Sequence, residues 1–595
     1  VAALAVAVAG GPLTVVGGSA WAQFGPGPSS FPGGGGGLGG GAPGTAPMDT
    51  TKSEGPAEKA PTEATEPTAA QPLPPWPEQS RRALQFFELH GYVRTRSDYL
   101  RKLNLGQPTL TQIAPSAFEL ASCVNNAANC DQSAAASVNM RLRLEPTIHV
   151  SEDVRVHAQF DVYDNLLYGS TPDNFYLAKT PGPAYAHLPT LSQNAAPPEQ
   201  GRNTTADAIG VKRVWGEVDT PVGTLRFGRM PWKWGMGLLR NDGGCWDCDY
   251  GDNVDRIELS SAYKNHVFGA SFDWVSTGLT TATLLEGKNQ YFGQPLDADN
   301  RDDVKQFTFW GGRIEDEQAF ARRAASATVA INYGGMLSYR SQDQDLRTDQ
   351  LDLPDVSLRQ QFTFVRRGAY MFTPDAWVKA RYKNLDLELE GAGLLGKIEN
   401  VTDVPDQFAE QSAKILQLGW ALRSQLHFLK ETLETGLEIG FASGDQAKAT
   451  DGSLNTRNAL FQQGVGNSTM NAFRFNFDYH VDILLFRQII GAVTNATYFK
   501  PWVSYDLFQR LTGKLALVYA FANNPDATPG ASRSYGLELD ADIGYRSPNE
   551  GFFAGFRYGA FFPMGALDRP EALFAGVGKD AETAQALQTR LIIRW

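Results

Sequence analysis

The feature that most constrains this chain is a period of two that returns again and again along it. From Asp580 the sequence reads AETAQALQTRLIIRW after the aspartate, with Leu587, Leu591, Ile593 and Trp595 on one parity and Gln588, Arg590 and Arg594 on the other. Alternation of this kind makes a strand with one apolar and one wet face. One such strand fits a soluble sheet or a transmembrane barrel. Repetition decides between them. Val138, Met140, Leu142 and Leu144 alternate with Asn139, Arg141, Arg143 and Glu145. Val154 to Val162 alternate with Arg155, His157, Gln159 and Asp161. Leu385, Leu387 and Leu389 alternate with Asp386, Glu388 and Glu390. Tyr535, Leu537, Leu539, Ala541, Ile543 and Tyr545 oppose Glu538, Asp540 and Asp542, an apolar face that begins and ends in Tyr, as aromatic girdles at two interfaces require.

Loop length sorts in step with the strands. Short turns are expected near 220–223, 264–266, 383–384, 430–431, 509–512 and 547–550. Long polar or Gly-rich segments fall at 101–136, 164–210, 231–253, 277–304, 341–367, 396–412, 443–497, 522–533 and 562–583. Turns on one side and loops on the other are how outer-membrane barrels are built. The expectation is an all-β fold, a transmembrane antiparallel β-barrel of about 18 strands over 85–595. Three places are left open. The segment 314–325 is a longish turn, 361–383 has room for an extra hairpin, and the non-alternating 482–493 reads as a short helix in the longest loop or a strand extension.

Ahead of the barrel, 1–22 is an Ala/Val/Leu-rich stretch ending in Ala20-Trp21-Ala22, expected to be a secretory signal lacking its start. Residues 23–84, rich in Gly, Pro and Glu, are expected to form a disordered periplasmic linker, with room for a periplasmic partner. The net charge of −12 argues against nucleic acid as a partner. The expected surroundings are outer-membrane lipid outside and polar or charged solutes within.

The wet parity carries both signs. Arg94, Arg96, Arg141, Arg143, Arg155, Arg557 and Arg590 lie on the first and last strands, neighbours once a barrel closes. Asp386, Glu388, Glu390, Glu538 and Asp540 lie on middle and late strands. A basic wall facing an acidic wall would set lumen selectivity. The plainer reading is pairing between adjacent strands.

Four cysteines form two close pairs, Cys123 with Cys130 and Cys245 with Cys248, which suits two loop disulfides in an oxidising compartment. In CWDCDYGDNVD (245–255) a metal reading competes, but CxxC supplies two ligands where zinc needs four. The expectation is therefore no metal and no cofactor. No nucleophile, zinc-protease or nucleotide signature stands out, so no enzyme is expected.

RFGRMPWKWGMGLLRNDGG (226–244) is the most distinctive segment, with Gly228-Arg229, Trp234-Gly235 and Leu238-Leu239-Arg240. With GFFAGFRYGAFFPMGAL (551–567) and Trp595, it resembles the alginate-export-type and related large porin-like outer-membrane barrels. The resemblance implies 18 strands around an aqueous or polysaccharide-conducting lumen. The lumen-facing charges are not uniformly basic, so a polyanion substrate does not carry over. Two functions follow as expectations: a porin-like channel for diffusion or export of polar solutes, or a plugged structural or adhesive barrel displaying disulfide-braced loops.

Overall fold

The computed structural model describes residues 86–107, 134–168, 209–275, 304–326, 329–346, 364–400, 412–429, 432–445, 469–508, 510–547, 551–571 and 578–595. The expected signal (1–22) and the linker (23–84), with any partner it would meet, lie outside them.

Of the two expected disulfides, one falls on described residues. Cys245 is bonded to Cys248. Cys123 and Cys130, the other expected pair, both lie outside the described residues.

The described residues form one sheet of 19 strands. One is the two-residue Thr469–Met470, which pairs in parallel with Ala413–Phe428. Removing it from the 19 leaves a wall of 18 strands, each antiparallel to its sequence neighbours. The first, Phe87–Arg101, pairs with the last, Ala584–Arg594, from Tyr92↔Arg594 to Arg101↔Gln585. The ring therefore closes without a free edge.

The sequence alternation sorts residues between bore and exterior. Arg94, Arg96, Asp98, Arg141, Arg143, Gln588 and Arg590 are buried inside. Phe307, Phe309, Leu416, Leu418, Leu591, Ile593 and Trp595 are exposed outside. An apolar exterior of this extent is a hazard in water and the required face in lipid. No described helix is long and apolar enough to cross a membrane, so the crossing is made by strands. This is the architecture of the bacterial outer membrane. Among the described residues, the turns expected near 220–223, 264–266 and 383–384 fall where expected. At Lys264-Asn265 both residues have positive φ (45° and 66°), the backbone of a tight two-residue hairpin.

Three further expectations need correction or completion. The described residues of 361–383 hold no hairpin: Phe364–Tyr382 is one long strand. Its alternation is broken by a bulge between Arg366 and Ala369, where Gly368 sits at φ +51°. The turn near 314–325 contains a helix, Glu317–Ser326, whose start is capped by Asp316 accepting from the Ala319 N–H at 2.7 Å. Tyr535 is not a girdle residue. A register shift opposite Ala520/Phe521, with Gly536 at φ +145°, turns it into the bore, where it is fully buried and its hydroxyl donates to the Asn495 carbonyl at 3.4 Å. Tyr545, past the bulge, is exposed as expected.

Bulky rings on the inner face lie over glycines of the paired strand. Tyr498 is opposite Gly440 and Trp502 opposite Gly436. A Cβ at Gly440 would stand 2.2 Å from the Tyr498 ring, and one at Gly436 2.4 Å from the Trp502 ring. These glycines are there for space.

Candidate functional site

Between the strands Gly223–Pro231 and Asn253–Tyr263 the chain turns into the bore as a hairpin, 232–252. Its base is closed by backbone bonds from Trp232 to Asp252 (3.0 Å) and from Asp252 to Asn241 (2.7 Å). Its tip is braced by the Cys245–Cys248 disulfide. The hairpin touches distant parts of the wall. On the first and second strands, Arg94 Nη1 donates to the Trp246 carbonyl at 3.0 Å and Arg141 Nη1 to the Cys248 carbonyl at 2.8 Å. On the eleventh, Leu385–Ile398, Glu390 accepts from the backbone N–H groups of Met236 and of Leu238, the latter at 3.2 Å. In a ring of 18, the first and eleventh strands face each other across the lumen, so the hairpin spans it. Gly235, at φ +52°, makes the approach to Glu390 achievable: a Cβ there would lie 2.5 Å from the carboxylate.

A second inserted segment, 471–495, meets the hairpin from the other side. Phe473, Phe475, Leu484, Leu485, Phe486 and Val493 are buried in one apolar cluster with Leu238 of the hairpin and Ala520 and Tyr535 of the wall. The non-alternating stretch is a π-helical turn, Leu485–Ile490. Two carboxylates satisfy the donors at its start. Glu538 accepts from the N–H groups of Ile483, Leu484 and Leu485 at 2.9, 2.7 and 2.8 Å. Asp482 accepts from Phe486 at 3.0 Å and Arg487 at 3.1 Å. The short-helix reading of 482–493 holds, and the helix lies inside the barrel.

The arginines of the first, second, penultimate and last strands converge on the hairpin tip. Asp249 accepts from Arg96 Nη1 at 2.9 Å and Arg94 Nη2 at 3.2 Å. Asp247 Oδ2 accepts from Arg557 Nη1 and Arg487 Nη1, both at 2.7 Å, and Arg590 stands 4.0 Å away. Burial works against ionisation of Asp247, but Arg487, Arg557, Arg590 and Arg96 together hold its carboxyl well below the usual carboxylate range. Asp252 goes the other way. Burial pushes it up, only partly opposed by Arg240 and by bonds from the Asn241 N–H (3.0 Å) and Asn476 Nδ2 (2.8 Å).

The structure thus gathers Arg94, Arg96, Arg141, Arg143, Arg557 and Arg590 around one loop, and sets Glu390 and Glu538 under the two inserted segments. Asp540 stands opposite Gly559, where a Cβ would lie 3.1 Å from both its Oδ1 and the Cβ of Ile483. Arg155 and Asp386 stand apart, near the short turns. Arg155 pairs with Glu217 (3.0 Å) and Asp219 (2.5 Å), and Asp386 with Arg381 and His427. Glu388 accepts from Trp377 Nε1 at 2.9 Å. Adjacent-strand pairing also accounts for Arg143 with Asp161 at 2.7 Å. Asp247, Asp249 and Arg487 were not among the expected lumen residues, because loops carry no alternation to mark a side chain as inward. The one signal was local: Arg487 is the sole basic residue in the run 482–493.

No family model matches the chain, and no curated protein matches it. Solved outer-membrane proteins do. Pseudomonas aeruginosa OpdK, solved with vanillate, is 12% identical, covering 85% of this chain and 99% of its own, with a TM-score of 0.41. Acinetobacter baumannii OccAB2 is 10% identical, covering 85% and 98%, with a TM-score of 0.43. A BenF-like porin of Pseudomonas fluorescens is 8% identical, covering 85% and 99%, with a TM-score of 0.42. At these scores the barrel assignment stands on its own strand pairing.

Proposed function

We propose that this barrel is a non-catalytic outer-membrane channel for polar, charged solutes. Selectivity is set where the two inserted segments cross the bore, by Arg94, Arg96, Arg141, Arg143, Arg557 and Arg590 on one side and by Glu388, Glu390, Glu538 and Asp540 on the other. The observation that carries this reading is the concentration of buried arginines at the hairpin tip. Burying an ion pair is often no more stabilising than an apolar contact. A plug needing only to stay shut would be served as well by aliphatic side chains. Charges at a crossing of the lumen are what a selective passage needs.

The second reading, a plugged adhesive or structural barrel, draws on the hairpin's reach from the first strand to the eleventh. Reversal potentials in planar bilayers under a salt gradient separate the two. The channel reading expects a stable non-zero potential that moves toward cation preference in Arg141→Glu/Arg143→Glu. A folded barrel without current supports the plug.

A further inference from the structure

We infer that Cys245, Cys248 and His480 form, when the disulfide is open, a binding site for one soft d10 cation, copper(I). The cysteines come from the hairpin and the histidine from the second inserted segment. Their donor atoms all lie within 4.8 Å of one another. Donors held about 2.0–2.3 Å from a metal stand roughly 3.5–4 Å apart in a trigonal set, so small shifts complete it. The juxtaposition is fixed from both flanks. The Asp249 and Tyr250 N–H groups donate to Asp478 Oδ1 at 3.2 and 3.4 Å, and Arg487 holds Asp247 at 2.7 Å. His480 is thus carried to the cysteines by bonds that do not involve it.

A neighbouring carboxylate is compatible with a ligating histidine. Asp478 is buried, and its Oδ2 has no hydrogen-bond partner among the described residues. Its Oδ1 stands 3.7 Å from His480 Nε2. A carboxylate beside a ligating imidazole is the usual outer-shell arrangement that orients the ring.

The charge and the donor count select the ion. Zinc in protein sites takes four ligands, and three are gathered here; two thiolates and an imidazole suit copper(I). Two thiolates with Cu⁺ carry a net charge of −1, and the neighbouring carbonyls of Trp246 and Cys248 already receive Arg94 and Arg141. Nearby guanidinium groups favour thiolates and an anionic complex.

In this structure the two sulfurs are bonded to each other, so the site is the alternative to the disulfide. A dithiol reductant opens it by exchange. One donor thiolate attacks a cysteine sulfur and the S–S bond breaks. The second donor thiol resolves the mixed disulfide, the donor leaves oxidised, and both cysteines are left as thiols. Copper(I) then displaces the two thiol protons to solvent. The disulfide braces the hairpin alone, whereas the ion ties the hairpin to the second segment.

The test uses the full-length folded protein in detergent, carrying Cys123→Ser and Cys130→Ser so that one pair reports. Half is left oxidised. Half is reduced under argon with a phosphine, which leaves as its oxide with oxygen from water. Each is titrated with Cu⁺ against a chromophoric Cu⁺ chelator, and separately with Zn²⁺. The expected result is one equivalent of Cu⁺ retained by the reduced protein only, with a thiolate-to-copper band in the near ultraviolet. His480→Ala and His480→Gln should each weaken retention by at least the roughly 10–100-fold that loss of an outer-shell partner brings. Equal retention by reduced and oxidised protein, unchanged affinity in the histidine variants, or tighter Zn²⁺ than Cu⁺ binding would overturn the inference. The comparison of redox states needs no substitution at His480 and does not depend on whether the bore conducts.

Discussion

Arg557 Nη1 donates to Asp247 Oδ2 at 2.7 Å, joining the penultimate strand to a hairpin tip 310 residues earlier in the chain. Arg487, from the second inserted segment, binds the same oxygen. One carboxylate therefore ties both insertions to the wall. Asp247→Asn leaves those guanidinium groups without their shared counter-charge. Breaking a buried pair in this way costs about 3–5 kcal/mol. The hairpin should become a substrate for limited proteolysis in folded protein, with noisier current. A cleavage rate equal to wild type would show that the carboxylate does not hold the tip.

Wall packing is tested at Gly440. Its partner Tyr498 is fully buried and donates to Glu438 Oε1 at 2.8 Å, so the ring cannot swing away without losing that bond. Gly440→Ala should destabilise the barrel by roughly 1–3 kcal/mol, as overpacking does. Urea unfolding in lipid vesicles, followed by tryptophan fluorescence, reads this directly.

Asp252 gives a pH dependence. Its folded pKa is raised, chiefly by burial, above an unfolded value of about 3.9. Between those two values the folded protein holds the proton and the unfolded chain does not. The contribution to stability is thus present below the unfolded pKa and lost as pH rises through the folded one. As the pH is raised through that folded value the hairpin should become easier to open, because the cost of the buried charge outweighs the gain in the bonds from the Asn241 N–H and Asn476 Nδ2. Asp252→Asn keeps an acceptor oxygen and removes the charge, so proteolysis of the hairpin should become nearly independent of pH.

Arg155 is the control for position. Its pair with Glu217 and Asp219 is partly exposed, with the arginine side chain 21% accessible, and lies away from the hairpin. Arg155→Gln should cost no more than about 1 kcal/mol and leave the reversal potential where it was. A shift as large as that of Arg141→Glu/Arg143→Glu would spread selectivity along the whole wall.

What the sequence made legible follows from periodicity. Strands such as Val154–Leu167, as far as Val162, and Leu385–Ile398 declare inside and outside by alternation, since each side chain must face lipid or water. Parity fails where the backbone slips. Gly536 reverses Tyr535, and Gly368 breaks the alternation of the strand in a stretch left open for an extra hairpin. It is silent in loops. That Arg141 and Arg143 face the bore was readable; that they reach the carbonyls of Cys248 and Gly243 was not, because contacts so far apart in sequence leave no local pattern. The CxxC pair was visible at once, whereas His480 beside it appears only after both insertions have entered the same lumen.

The measurement that tests the central claim most directly is single-channel conductance of the refolded protein in a planar bilayer, at low and high salt. A charge-lined crossing predicts a small, discrete, stable conductance whose ion preference is marked at low salt and weakens at high salt, where exposed charges are screened. A silent bilayer, with the barrel shown to be folded and inserted, would contradict the channel and leave the plugged barrel.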